Sequence, residues 1–286
     1  MSRILRSLVL LFFPVAVYTY DVIFRPKPLR FIANKFVSLL IPESVELPEG
    51  ILYLNPDDTT VSGAIALGRY EPFETWFVRS ILSPQMTVVN VGANLGYYTL
   101  IVAKHVSKVI SFEPAPLNFL LLKKNVGSFK NVELYQVAAS DKDGEMPLYL
   151  SNTSMGGHTL VPWTSLKEKI MVKTVKLDSI VNKADLLIID VEGAEPLVLA
   201  GMNRLLGEDI SILMEFSPQA IQRIGHDGVA MLDMLVSRHF NIYNLNESEN
   251  KLEIVSDFSA LSTVLVNRNG HTNLFCTKVA LPQVLQ

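Results

Sequence analysis

The sequence predicts an α/β fold, a mostly parallel sheet with helices on both faces. Three observations carry this. Beyond Pro84, short apolar runs alternate with helix-patterned segments. The runs are apolar on successive residues, as in strands buried on both faces. Several of them end in a carboxylate, which places acids along one edge of such a sheet. The chain of 286 residues, 49% hydrophobic, is long enough to bury a full core without covalent staples.

Composition excludes several classes. The lone Cys276 allows no intrachain disulfide, and no CxxC or Cys/His cluster offers a zinc site. A net charge of −3 gives no broad basic field for nucleic acid. The mean hydropathy of +0.29 is high for a water-soluble domain, so part of the apolar content needs a separate location.

Residues 7–24, SLVLLFFPVAVYTYDVIF, are one such location, with Asp21 as their sole formal charge. As a helix they would span about 27 Å, just under a ~30 Å hydrocarbon core. Three readings compete: a secretory signal lacking an A-x-A-like cleavage site, a membrane anchor interrupted by Pro14, and an amphipathic helix docked on the protein. Residues 1–28 are therefore set apart as a hydrophobic N-terminal segment and candidate membrane anchor. Residues 29–83 read as a helical and irregular cap, with helical spacing at 29–40, a short strand at Ile51–Leu54 and a helix over 71–83.

Residues 84–286 form the main domain. Strands are expected at Thr87–Val91, Lys108–Phe112, Val132–Ala138, Asp185–Asp190 and Ile210–Phe216. Helices are expected at Tyr97–His105, Pro116–Asn125, Glu195–Leu206, Pro218–Ile224 and Gly228–His239. Near the C-terminus, Ser262–Val266 and Asn273–Val279 read as an antiparallel hairpin turning at Asn269-Gly270.

Two glycines follow the first of these strands, in VVNVGANLGYYTL from Val88 to Leu100. Gly92 and Gly96 let the backbone turn tightly and approach a ligand. The spacing is neither G-x-G-x-x-G nor the Walker lysine loop, so phosphate is not the first ligand to consider. Alone, a ligand-free strand–helix turn accounts for it equally well. Glu113 ends the next strand, at a place where a carboxylate in an open α/β sheet borders the ligand crevice and can accept from both hydroxyls of a ribose. Its structural alternative is an acid favoured by a helix N-terminus.

In LLIIDVEGAEPLVLAGM, an apolar strand ends in Asp190, with Glu192 and Glu195 close behind. Acids crowded at the mouth of a sheet repel one another and call for a cation, a ligand amine or solvent. SILMEF repeats the device with Glu215. Each has a plain alternative, Glu195 at a helix start and Glu215 facing water at a strand end.

Six ordered blocks carry a resemblance: VVNVGANLGYYTL, FEPAPLNFLLLKKN, VAASDKDGE, KLDSI, IIDVEGAEPLVLAGM and MEFSP. Together with the upstream GRYEPFETWFV, they resemble the FkbM-type family of S-adenosylmethionine-dependent methyltransferases over roughly residues 50–245. The resemblance implies a Rossmann-like, seven-stranded sheet with an antiparallel strand near the C-terminus. It implies O-methylation of a hydroxyl on a sugar, glycan or secondary metabolite. It also implies a cofactor site at Asn90, Gly92, Asn94, Gly96 and Glu113, with Ala139 and Asp141 bordering the adenine. Asn90 departs from the family pattern, where Asp is usual and its charge would help hold the cofactor's ammonium.

O-methylation needs the acceptor oxygen placed in line with the sulfonium methyl and its proton removed. Asp190, Glu192, Glu215 and His158, the last in the Gly-rich SNTSMGGHTL, are the candidate groups. His158 could equally be an exposed loop histidine. A divalent metal between Asp190 and Glu215 is conceivable, but no ligand spacing requires one, so no metal is expected. The expected partner is a small-molecule or glycan hydroxyl, with membrane association possible through residues 7–24. Because S-adenosylmethionine is made in the cytosol, a cytoplasmic placement of the domain follows from the resemblance. Two other classes stay open. One is a nicotinamide-dependent oxidoreductase, whose three-glycine fingerprint is missing. The other is a catalytically inactive Rossmann-like binding module, which Asn90 keeps in play.

Overall fold

The computed structural model describes residues 38–151, 156–161, 168–279 and 281. The hydrophobic segment at 7–24 and most of the helix expected at 29–40 lie outside these. Among the described residues, no helix is long and apolar enough to cross a membrane. The chain divides into two compact units, Met1–Tyr70 with Thr153–Gly156, and Glu71–Asn152 with Gly157–Gln286.

In the first unit, β1 (Ser44–Leu47) and β2 (Gly50–Tyr53) pair as an antiparallel hairpin. Helix α1 (Val61–Leu67) follows and stops at Gly68, which takes the left-handed conformation.

The second unit is built on an eight-stranded sheet. Its members are β3 (Thr87–Val91), β4 (Lys108–Phe112), β5 (Val132–Tyr135), β9 (Leu186–Ile189), β10 (Ser211–Phe216), β11 (Asn241–Asn246), β12 (Lys251–Ile254) and β13 (Thr272–Thr277). The spatial order is β12-β11-β13-β10-β9-β3-β4-β5. The five strands from β10 to β5 are parallel, and β13, β11 and β12 pair antiparallel. A separate three-stranded sheet joins β6 (Ala138–Ala139), β8 (Glu168–Val175) and β7 (Gly144–Leu150).

Successive residues of the parallel strands serve opposite faces, which is why their sequences are apolar without interruption. Val88, Val109, Leu186 and Ile188 pack with Phe73, Phe77 and Val78 of α2 (Pro72–Ile81) and Val102 of α3 (Tyr97–Ala103). Phe77 also meets Phe275 edge-on at 4.9 Å. Val89, Ile110, Leu187 and Ile189 face the opposite layer. That layer comprises α5 (Leu177–Ile180), α6 (Glu195–Ala200), α7 (Pro218–Arg223), α8 (Gly228–Ser237) and α9 (Phe258–Arg268). Helix α4 (Pro116–Val126) carries Leu122 against the glycine turn.

The structure corrects four expectations. The hairpin at 262–279 is absent, because Ser262–Val266 lies inside helix α9. Asp257 caps that helix by accepting from the Ala260 N–H at 2.9 Å, and Leu261 and Leu265, one turn apart, face the core. Asn269, at φ 49°, closes it. Asn-Gly supports a left-handed residue, and that conformation ends helices as well as making hairpin turns. The real hairpin lies upstream, β11 to β12, and its outer strand makes the sheet eight-stranded rather than seven.

The run Val132–Ala138 is two strands in two sheets, since Ala138–Ala139 pairs with β8 rather than continuing beside β4. The helix expected over Glu195–Leu206 ends at Ala200, followed by a 3-10 turn at Leu205–Gly207. A Cβ on Gly201 would lie 2.0 Å from the Ser140 carbonyl oxygen, so only glycine fits at the position that caps the helix.

Candidate active site

Register assembles the site. In the parallel ladders Val91 is level with Phe112 on one side and Ile189 on the other, and Met214 is level with Ile189. The residues that follow, Gly92, Glu113, Asp190 and Glu215, therefore emerge at one edge of the sheet. Strands β3 and β9 are neighbours from which the chain runs in opposite directions, the switch point where open α/β sheets take their ligands.

The glycine turn is shaped first by the protein itself. Gly92 has φ 83°, and a Cβ there would lie 1.7 Å from the Asp190 carbonyl oxygen. Gly96 has φ 97°, and its Cβ would meet Leu122 Cδ1 at 2.8 Å. The Gly92 and Ala93 amides both donate to Phe112 O at 2.9 Å. Glu113 is buried beneath the turn. One of its oxygens accepts from Asn94 N–H and the other from Ala115 N–H, each at 2.8 Å. Burial pushes its pKa up to about 7, against the pull of these two amides. Asn118 Nδ2 donates to Asn94 Oδ1 at 3.1 Å, fixing the left-handed Asn94.

Asn90 serves the layer below. It is buried, and its Nδ2 donates to Thr99 Oγ1 at 3.0 Å, which in turn pairs with Ser111 Oγ at 2.9 Å. Asn90→Asp would place a carboxylate there without a cationic partner. We expect it to cost about 1–3 kcal/mol in urea denaturation, the penalty for an inadequately satisfied buried polar group. Unchanged stability would show that the hydroxyls turn to donate.

Asp190, Glu192 and Glu215 each present a carboxylate oxygen within 4.8 Å of the others. Glu192 is held at φ 55°, an unusual value for a residue with a side chain. Its carbonyl accepts from Thr159 Oγ1 at 2.8 Å, which ties the 157–161 segment to the acids. Glu195 is fully buried, and its Oε1 accepts from Gly193 N–H at 3.1 Å and Val191 N–H at 3.3 Å. Its Oε2 and Asp190 Oδ1 are buried with no hydrogen-bond partner.

More acids arrive from positions to which the sequence assigned no role, Glu71 and Glu74 inside the upstream GRYEPFETWFV and Glu247 outside every quoted segment. Glu71, at φ 42°, accepts from Tyr98 OH at 2.7 Å. Glu74 is buried on the first turn of α2. Glu247 accepts from the Phe73 and Glu74 amides at 3.2 and 2.8 Å, covering the start of α2.

Burial first, then mutual repulsion, raises most of these groups. Glu71 reaches about 7, with Asp190 and Glu247 adding repulsion. Glu192 reaches about 8, with Asp190, Glu195 and Glu71 adding to it. Burial lifts Asp190 to about 6, against the Glu192 amide, and Glu195 to about 7. Glu74 and Glu215 are raised well above the usual carboxylate range. His271 Nδ1 lies 3.8 Å from Glu215 Oε2. Desolvation lowers its pKa, so it supplies little compensating charge.

The remaining candidates are engaged as follows. His158 Nδ1 accepts from Ser151 N–H at 3.0 Å, which leaves the ring proton of the neutral form on Nε2. Ala139 is packed in the main core. Asp141 accepts from Ser140 Oγ at 3.1 Å.

A doubly wound sheet with acids gathered at its switch point has the arrangement in which open α/β sheets take their ligands. The chain belongs to the FkbM methyltransferase family, whose domain matches residues 90–242. It is 27% identical over 176 residues to the 2-O-methyltransferase NoeI of Sinorhizobium fredii, covering 54% of this chain and 72% of that protein. It is 26% identical over 155 residues to the methyltransferase sdnD of Sordaria araneosa, covering 41% of this chain and 60% of that one. The crystal structure of a methyltransferase FkbM from Methylobacillus flagellatus aligns over 87% of this chain and 59% of its own, at 14% identity and a TM-score of 0.46.

Proposed function

We propose that this chain is an S-adenosylmethionine-dependent O-methyltransferase acting on a hydroxyl of a sugar, glycan or secondary metabolite. One observation carries the reading: strand register brings the glycine turn, Glu113 and Asp190 to one edge at the switch point. Family membership and the name of the 2-O-methyltransferase relative point the same way.

The donor set suits the cofactor. S-adenosylmethionine brings a sulfonium whose methyl is electrophilic, and the carbon–sulfur electron pair returns to sulfur on transfer. The site is rich in carboxylates, with Asp190 Oδ1 unpartnered, and so complements a cation. Each Glu113 oxygen holds one amide and keeps a second lone pair for a ribose hydroxyl. Gly92, Asn94 and Gly96 shape the turn against which the cofactor would lie, and Ala139 and Asp141 would border its base. Asn90 is committed to Thr99, so the negative charge near the cofactor falls to Asp190.

Asp190 is also suited to take the acceptor's proton, since its pKa of about 6 is near neutral pH. Glu215 stands beside it to orient the hydroxyl. With its Nδ1 held by the Ser151 amide, His158 is assigned to the loop bordering the acceptor rather than to the base.

Calorimetric titration of the full chain with S-adenosylmethionine tests the reading. Wild type is expected to bind, and Glu113→Ala to weaken binding by about 1.5–3 kcal/mol, the scale of hydrogen bonds to a charged group. A folded wild type that does not bind, or a Glu113→Ala variant that binds equally well, would refute it.

A further inference from the structure

We propose that Asp190, Glu192 and Glu215 form a binding site for a divalent cation of the Mg2+ or Mn2+ type, through which the protein recognises acceptors offering adjacent oxygens. The inference deepens the proposed methyltransferase reading and rests on it for the role of the acceptor.

The sequence required no metal, because the three acids belong to two strand ends 25 residues apart and show no ligand spacing. The fold supplies what spacing does not. Parallel pairing of β9 with β10 sets Asp190 beside Glu215, and the left-handed turn at Glu192 brings a third carboxylate to the same point. One oxygen from each lies within 4.8 Å of the other two. Ligands on opposite sides of an octahedral Mg2+ are about 4.2 Å apart and adjacent ones about 3 Å, so small side-chain movements would close the set.

A second observation points to a ligand. Asp190 Oδ1 is buried with no partner, and so is Oε2 of the fully buried Glu195, three residues beyond Glu192. Buried carboxylate oxygens are ordinarily hydrogen-bonded or coordinated. Among the described residues no Lys or Arg forms an ion pair with Asp190, Glu192 or Glu215, and His271 Nδ1 stands 3.8 Å from Glu215 Oε2.

The chemistry of the donors selects the ion. Hard carboxylate oxygens with no Cys or His suit Mg2+, Mn2+ or Ca2+ rather than zinc or copper. Three protein oxygens leave coordination positions open. A vicinal diol, or a hydroxyl beside a carbonyl, would fill two of them, whereas an isolated hydroxyl would fill one. The predicted preference is therefore for acceptors with paired oxygens.

Titration of the full chain, stripped with chelator, with MnCl2 reads the site directly, since free Mn2+ is counted by its paramagnetic resonance signal. One Mn2+ per chain is expected for wild type. Asp190→Asn and Glu215→Gln should each weaken binding at least about tenfold, because affinity follows the number of charged ligands. Each substitution removes a repelling charge, so both variants should melt no lower than metal-free wild type, which separates lost binding from lost folding. A wild type that binds no Mn2+, or variants that bind it as tightly, would overturn the site. S-adenosylmethionine binding in the same samples is read separately. Its absence while Mn2+ binds would refute the methyltransferase reading and leave the cation site standing.

Discussion

Gly92→Ala is expected to cost at least about 4 kcal/mol, as much as the larger large-to-small core substitutions and beyond the usual range for single substitutions. The added methyl would sit 1.7 Å from the Asp190 carbonyl oxygen and 2.8 Å from its carbonyl carbon. Both are backbone atoms in the adjacent strand connection, so no side-chain rotation relieves the clash. The residue also sits at φ 83°, where a Cβ adds strain of its own. Relief requires β3 and β9 to part at the switch point. Guanidinium denaturation followed by circular dichroism should show a lower midpoint or no cooperative transition. A variant within about 1 kcal/mol of wild type would mean the β3–α3 turn can move away from Asp190, and the close packing assigned to it would be wrong. Gly225→Ala is the control, because it shares a positive φ but has nothing within 4 Å of the added carbon.

The second large effect is an inverted dependence of stability on pH. Carboxylates usually titrate lower in the folded state, and stability then grows as pH rises through their range. Here Glu71, Glu113, Asp190, Glu192 and Glu195 titrate higher when folded, between about 6 and about 8. A group with a raised folded pKa binds its proton more tightly in the native state. Its contribution is fully present below the unfolded value near 4.5 and is lost as pH climbs through the folded value. For one fully buried group, a rise from 4.5 to about 7 corresponds to about 3 kcal/mol.

The other groups facing this site do not reverse the sign. Glu74 and Glu215 shift in the same direction, whereas His271, lowered by desolvation, contributes stability that grows as pH rises, one group opposing seven. Thermal melts of the full chain in chelator, without S-adenosylmethionine, should fall from pH 5 to pH 8. Cofactor or Mn2+ should flatten the slope by stabilising the ionised carboxylates. A melting temperature that rises over this interval would show that the carboxylates are more hydrated, or better paired, than their burial indicates.

The parallel core and one edge of the site were legible in the sequence for a simple reason. A strand buried on both faces must be apolar at successive positions, so LLII, TVVNV and SILMEF identify themselves. A polar residue ending such a run lies at the sheet edge, so Glu113, Asp190 and Glu215 could be singled out as site candidates. The C-terminal order was not legible, because Asn-Gly permits a left-handed residue and does not say whether a helix or a hairpin uses it. Asn269 ends a helix here, and the strand that follows is inserted between β10 and β11.

Only the tertiary structure decided which acids share one space. Glu71 stands 119 residues before Asp190, yet its charge raises the pKa of Glu192 and Glu215. Glu247 reaches the amides that open α2 from a turn more than 170 residues away. It also decided that Gly92 is glycine because of the neighbouring strand connection, and that Asn90 is held by Thr99 in the layer beneath. Apolar periodicity is a local property, set by which face each residue buries. Electrostatic crowding depends on distances in space, and those are fixed by strand order and register.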